Sequence, residues 1–352
     1  MTQNTPLSPC HLRIAGDVRQ RVLSEAQLRA HGVSVAVAAA QCRTGGPWQQ
    51  PLPGVYVLHP EPPAGDELLR AALLYAGRPP ASAGRRRESG AESGYGEAMV
   101  TGLAALALHG FAAAPPPASA ARIDVLVPRT RRLPSVRYVR LVRAAEPPRP
   151  QEVRGLPVAP VERALADAVS GLGDATAVRR LLTEAVRGGH CEPAIVVREL
   201  NRAKLLDRPH VVDAVDALLA EGRALAENRL YDMVRSYGLP EPLWNVDLRL
   251  PGGPHLGGVD AYWPEEAVAV ALDTRAPLHS LLGDDRRQEE HDAQWSAYTA
   301  EREYLERLGV TVVQLSPKEL RDAKEQQAVV VRTALMAAAD REPAAYVMIL
   351  PR

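Results

Sequence analysis

The stretch Val259–His279, V-D-A-Y-W-P-E-E-A-V-A-V-A-L-D-T-R-A-P-L-H, decides how this chain is read. Apolar and polar residues alternate through Val259–Trp263, the pattern of a half-buried strand. A Pro-Glu-Glu turn follows, then the run Ala267–Leu272, apolar enough for a strand buried on both faces. Asp260 and Asp273 lie on these neighbouring strands, where a hairpin brings them together. Two carboxylates facing one cleft are what a divalent metal, Mg²⁺ or Mn²⁺, needs to activate water against a phosphodiester.

Working outward, apolar spacing predicts helices over Val211–Leu219 and Ala224–Tyr237, stopped by Gly238-Leu239-Pro240-Glu241-Pro242. Strands are expected at Trp244–Leu250, Leu256–Trp263 and Ala267–Leu272, then a long helix Glu289–Leu308, a strand Val310–Leu315 and a helix Pro317–Ala338. The order α-β-β-β-α-β predicts a mixed sheet with helices on both sides.

This segment resembles the core of the PD-(D/E)XK nuclease superfamily, in its small Vsr-like branch. There a hydrophobic-V-D-x-x-W-P-E segment leads into V-x-V-E-x-D-G. The resemblance implies a carboxylate cluster of Glu227, Asp260 and Asp273, with Asp260 and Asp273 as metal ligands and His279 or Arg302 stabilising the phosphate. The departures are specific. Ala271 stands where the Glu is expected and Thr274 where the Gly is; Gln314 stands where relatives often have Arg. Arg275 is the only cation near Asp273 and cannot act as a base at neutral pH. Asp284, Asp285, Glu289, Glu290 and Asp292 give the domain an acidic balance that opposes a phosphate backbone. The expectation is a nuclease fold kept as a scaffold or dimerisation module, with Asp260 and Asp273 solvated or paired. The alternative is a Mg²⁺- or Mn²⁺-dependent endonuclease in which Glu227 compensates for Ala271.

At the other end, Ser24-Glu25-Ala26-Gln27 is a capping-box pattern that starts a helix running to His31. Gly32 ends it, and Ser34 caps a second helix, Val35–Cys42. Segments around Trp48–Gln50 and Val55–Leu58 flank Pro51–Gly54 as a small β-wing. That order is a winged helix-turn-helix. Its second helix enters the major groove with Ser34, Gln41 and Arg43, while Thr44, Trp48, Gln49 and Gln50 lie near phosphates or the minor groove. Winged helices also serve as protein-interaction modules, and this Ala-rich helix has few base-reading side chains.

Between the ends, Asp66–Ala76 and Met99–Gly110 read as helices, and 78–96, with its Arg85-Arg86-Arg87 triplet, as a flexible insertion. Strands Ile123–Val127 and Val136–Val142 are joined by a turn, Pro128–Pro134, that carries Arg129, Arg131 and Arg132. Phosphate contact and a solvated turn are both open for these arginines. Arg163 and Asp167, four apart, are expected to pair as a structural latch. Helices are expected over Ala175–Arg187 and Glu192–Ala203.

The head and middle resemble the AbiEi family of antitoxin-like regulators. The residues that carry it are L-S-E-A-Q-L-R-A-H-G-V-S (23–34), G-G-P-W-Q-Q-P-L-P-G-V-Y-V-L (45–58), T-G-L-A-A-L-A-L-H-G (101–110) and E-R-A-L-A-D (162–167). The resemblance implies a winged helix on operator double-stranded DNA that represses its own operon, and a nucleotidyltransferase-like toxin encoded beside it as partner. His109 is expected to be a structural contact.

Composition sets the remaining bounds. The formal net charge is zero, so partners must be read from local charge. The first fifty residues carry a basic bias, Arg13, Arg19, Arg21, Arg29 and Arg43 against Asp17 and Glu25. Cys10, Cys42 and Cys191 lack any metal-ligand spacing and fit idle thiols in a reducing compartment. No apolar run reaches membrane-spanning length and no signal-peptide core is visible, so a cytoplasmic protein without membrane contact is expected. The fold class is α/β (α+β multidomain): a winged helix over 1–60, a mixed α/β domain over 61–205 and a nuclease-like domain over 206–352. A homodimer suits palindromic DNA, although no heptad repeat argues for one.

Overall fold

A computed structural model describes residues 21–77, 94–253, 255–273, 303–338 and 347–351. The chain divides into two compact units, Met1–Glu184 and Ala185–Arg352. Each is a mixture of helices and sheet.

The first unit opens with β1 (Val22–Ser24), α1 (Glu25–Ala30), α2 (Val35–Gln41), β2 (Gln49–Leu52) and β3 (Val55–Val57). The strands form an antiparallel sheet in the order β1-β3-β2. Local chemistry accounts for the helix starts. The Ser24 hydroxyl accepts from the Gln27 amide while the Gln27 side chain accepts from the Ser24 amide, satisfying two N-terminal donors at once. Gly32, at φ +79°, makes the turn that a side chain would strain. Leu23, Leu28, Ala38, Trp48 and Tyr56 close a small core beneath the sheet.

The unit continues with α3 (Gly65–Gly77), β4 (Met99–Thr101), α4 (Gly102–Leu108), β5 (Ile123–Pro128), β6 (Val139–Ala144), β7 (Gln151–Val153), β8 (Leu156–Val158), α5 (Val161–Ser170) and α6 (Ala175–Arg187), whose last residues lie across the unit boundary. Helix α3 is buried nearly all round. Its buried Arg70 donates to the Val22 carbonyl at 3.0 Å and to the Tyr95 hydroxyl. The first of these bonds ties the head sheet to α3.

Two expectations are corrected here. Met99–Thr101 is not helical but the central strand of a five-stranded sheet, β6-β5-β4-β8-β7, and the helix begins only at Gly102. Strands β5 and β6 are not joined by a tight turn into an antiparallel pair; they pair in parallel, Ile123 with Val139 through Pro128 with Ala144. Strand β5 is buried on both faces, the environment in which parallel pairing is found. Residues 129–138 are therefore a crossover and not a turn tip. Most of the expected insertion, 78–93 with the Arg85-Arg86-Arg87 triplet, lies outside the described residues.

The second unit contains α7 (Pro193–Arg202), α8 (Pro209–Ser236), β9 (Leu243–Arg249), β10 (His255–Trp263), β11 (Val268–Leu272), β12 (Thr311–Leu315), α9 (Pro317–Asp322), α10 (Lys324–Ala338) and β13 (Met348–Pro351). Its sheet runs β12-β11-β10-β9-β13, antiparallel except for the β11–β12 pair. The expected hairpin between β10 and β11 forms, Ala261 facing Val270 and Trp263 facing Val268. One sheet face packs Trp263, Val268 and Val270 on Leu230 and Met233 of α8 and Val331 of α10. The other buries Leu248, Tyr262 and Ala269 beneath Leu305, which lies in the helical residues 303–307.

The two helices expected over Val211–Leu219 and Ala224–Tyr237 are one, α8, running without a break through Gly222. A Cβ at Gly222 would stand 2.6 Å from Cγ of Pro193, so glycine there admits a close approach of α7 that offsets its poor helix propensity. The helix expected over Pro317–Ala338 instead breaks at Ala323, φ −141°, into α9 and α10. No described helix is long and apolar enough to cross a membrane.

Candidate functional site

The two strands of the deciding stretch place Asp260 beside α8. Arg223 and Glu227, four apart on that helix, share a face. The Arg223 guanidinium donates from Nε to Glu227 Oε1 at 2.8 Å and from Nη2 to Asp260 Oδ1 at 2.6 Å. The second Asp260 oxygen, Oδ2, accepts the Leu272 backbone N–H at 2.6 Å. Asp260 is 5% exposed, and both its oxygens are thus engaged. The neighbouring strand is irregular at this point: Asn245, opposite Asp260 in the β9–β10 register, adopts φ +51°, and its side chain donates to the Tyr231 hydroxyl at 3.3 Å. Asn is among the few residues that tolerate this backbone conformation.

Asp273 follows β11. Its backbone N–H donates to the Leu315 carbonyl at 2.9 Å, which prolongs the β11–β12 pairing, and it lines a cavity together with Arg223. Ala271 is buried and lies in register with Gln314 of β12.

A hard divalent ion is held by several anionic oxygens at once. Here Glu227 and Asp260 converge on a guanidinium, Ala271 supplies no ligand, and the described residues include no group of three or more His, Cys, Asp or Glu able to hold a metal. Of the expected cluster of Glu227, Asp260 and Asp273, the first two are bridged by an internal cation, Arg223. Arg223 escaped the reading of the sequence. The only signal was its spacing of four from Glu227; its bond to Asp260 spans 37 positions. His279 and Arg302 lie outside the described residues.

The head presents a different surface. Ser34 caps α2, its hydroxyl accepting the Val37 N–H at 3.3 Å. Replacing Ser34 by Ala is expected to cost about 1 kcal/mol of stability. A urea titration that found no shift would show that the cap contributes nothing to stability. Helix α2 exposes Val35 and Val37, each 41% accessible, with Gln41 half-buried at its end. Arg43 and Thr44 are exposed in the loop that follows.

Trp48 is a correction. It is 4% exposed and packs in the head core, so its ring has no surface from which to meet DNA. Gln49 is partly buried, and its amide donates to the carbonyls of His59 at 2.9 Å and Glu61 at 2.6 Å, pinning the chain after β3. Of the crossover arginines, Arg129 and Arg132 are exposed. Arg131 is turned inward: Nε and Nη2 donate to the Ala76 carbonyl at 3.0 and 2.7 Å, placing a cation at the C-terminal end of α3. Burial lowers its pKa, and the Glu97 charge partly offsets this. Arg143 braces the same crossover through the Leu133 carbonyl at 2.6 Å.

Two polar contacts foreseen in the middle region are present. Arg163 pairs with Asp167 through two hydrogen bonds, at 3.0 and 2.9 Å, and His109 Nε2 lies 2.9 Å from the Ala159 carbonyl oxygen. No family model matches the chain, and no curated protein matches it.

Proposed function

We propose that this chain is a DNA-binding transcriptional regulator similar to the AbiEi antitoxins, with the head acting as a winged helix on operator DNA and the second unit as a nuclease-like scaffold that does not cut. The observation that carries the reading is the order of β1, α1, the Gly32 turn, the Ser34-capped α2 and the β2–β3 ribbon. This is the arrangement by which a short second helix is offered to the major groove. The Arg223 bridge supports the non-catalytic half of the proposal, because it occupies the carboxylates that metal-assisted hydrolysis requires.

In this reading Arg43, Arg129 and Arg132 contact phosphates, Thr44 lies beside the backbone, and Gln41 reaches toward base edges. Three phosphate contacts predict that affinity falls roughly 40-fold between 50 and 200 mM salt. The test is a labelled fragment of the protein's own upstream DNA, incubated with Mg²⁺, with Mn²⁺ or with EDTA, and resolved on native and denaturing gels. A retarded, intact fragment under all three conditions, with that salt dependence, is expected. Absence of salt-sensitive duplex binding rejects the regulator. Metal-dependent cleavage lost in Asp260→Ala rejects the silent scaffold.

The exposed Val35 and Val37 favour a second reading, in which α2 meets an apolar protein surface such as a nucleotidyltransferase-like toxin or a second copy of the chain. Substituting both valines by Ser separates the two. A groove-binding α2 loses modest affinity for DNA, whereas an interaction helix leaves DNA untouched and loses its protein partner.

A further inference from the structure

The second unit holds a partly open cavity of about 300 Å³. Its walls are mostly apolar, from Pro193 and Ile195 of α7, Leu219 and Leu225 of α8 and Pro317 of α9. Gly222 shapes it: the closeness of Pro193 to α8 depends on the missing side chain. Four cationic side chains line the same space, Arg223, Arg229, Lys318 and Arg321, against two carboxylates, Asp273 and Glu192.

Two of these cations are committed. Arg223 holds Glu227 and Asp260, and Arg321 holds Glu192 and Asp322. The side chains of Arg229 and Lys318 make no hydrogen bond or ion pair with a described residue. Their field nevertheless reaches nearby groups. The Asp322 carboxyl is held below its usual pKa chiefly by the Arg321 hydrogen bond; burial opposes this, and the charges of Arg321, Lys318 and Arg229 add smaller lowering effects.

Apolar walls with a few convergent charges are the makings of a small-molecule site, and this volume lies at the lower end of the usual range. The chemistry narrows the ligand. Arg229 and Lys318 disfavour a cation beside them, and a sugar would leave polar atoms against Leu219, Leu225 and Ile195 without partners. We propose that the cavity binds a small amphipathic anion, a carboxylate or phosphate carried on a compact apolar body of about ten to fifteen non-hydrogen atoms. The apolar body lies between α7 and α8, and the anionic group faces Arg229 and Lys318. This site stands independently of the DNA-binding reading.

The experiment is isothermal titration of the full chain with 1-naphthoate, with phenyl phosphate and with the neutral 1-naphthamide. At least one anion is expected to bind with a dissociation constant below about 1 mM, and 1-naphthamide at least tenfold more weakly than 1-naphthoate. The pair Arg229→Gln and Lys318→Gln should weaken the anion tenfold or more. Ile195→Trp, which fills the cavity, should abolish binding; if that variant does not fold, the double Gln variant still decides. Failure of both anions to bind at millimolar concentration overturns the proposal. So does equal binding of naphthoate and naphthamide, or anion binding unchanged in the Gln variant. Preference between the two anions identifies the carboxylate or the phosphate as the recognised group.

Discussion

Arg223→Met is expected to lower the stability of the second unit by about 3 kcal/mol. Asp260 is 5% exposed and cannot be rehydrated where it lies. Without the guanidinium it keeps the Leu272 N–H but loses the Arg223 charge, and Glu227 loses that pairing too. Breaking a buried pair from one side costs about 3–5 kcal/mol, and the lower end applies because the Arg223 side chain is 35% exposed and partly screened. Asp260→Asn provides the control. The amide oxygen still accepts the Leu272 N–H, and Arg223 can turn toward water. The double variant should then be less destabilised than the two single effects added together, by about 1–2 kcal/mol. Urea titrations of the four proteins measure this cycle. Strict additivity would mean that the two groups do not interact and would withdraw the bridge as the organiser of the site.

The second large effect belongs to the first unit. Asp167 is buried on α5, where it receives both Arg163 hydrogen bonds and the Thr101 hydroxyl at 2.6 Å. Thr101 is wholly buried, at the junction of the central strand β4 and α4. Asp167→Ala leaves that hydroxyl and a largely covered guanidinium without acceptors, and a loss of about 3 kcal/mol is expected. Asp167→Asn keeps one acceptor and should lose about 1.5 kcal/mol. The order Ala worse than Asn, read from denaturant midpoints, is the critical result. Equal losses would show that the charge alone matters and that the Thr101 bond contributes nothing.

What could be read from the sequence was what is local. The Ser24–Gln27 box, the Gly32 turn and the Ser34 cap are all decided within a few residues, and each is where the pattern places it. Strands β10 and β11 follow from alternation and an apolar run, and the Arg163–Asp167 latch from a spacing of four. The failures are non-local. The parallel pairing of β5 with β6 depends on what covers both faces of β5, which two apolar runs and a polar connection do not reveal. The continuity of α8 through Gly222 depends on Pro193, from a different helix. Trp48 reads equally well as a surface aromatic or a core one until the head sheet closes over it. The deciding contact of the candidate site, Arg223 with Asp260, joins a helix to a strand and leaves no periodic trace.

The crossover between β5 and β6 has a consequence for the order of folding. The pair joins residues sixteen positions apart, whereas β4 reaches its parallel neighbour β8 only by joining Val100 to Val158. Closing the longer loop costs about 1 kcal/mol more chain entropy, before any contact rewards it. Loop closure alone therefore favours assembly from one side, β5 with β6 before the β7–β8 hairpin meets the open edge of β4, with Arg143 holding the crossover at Leu133 and Arg131 tying it to α3. Until that hairpin docks, the middle strand of the finished sheet is an edge.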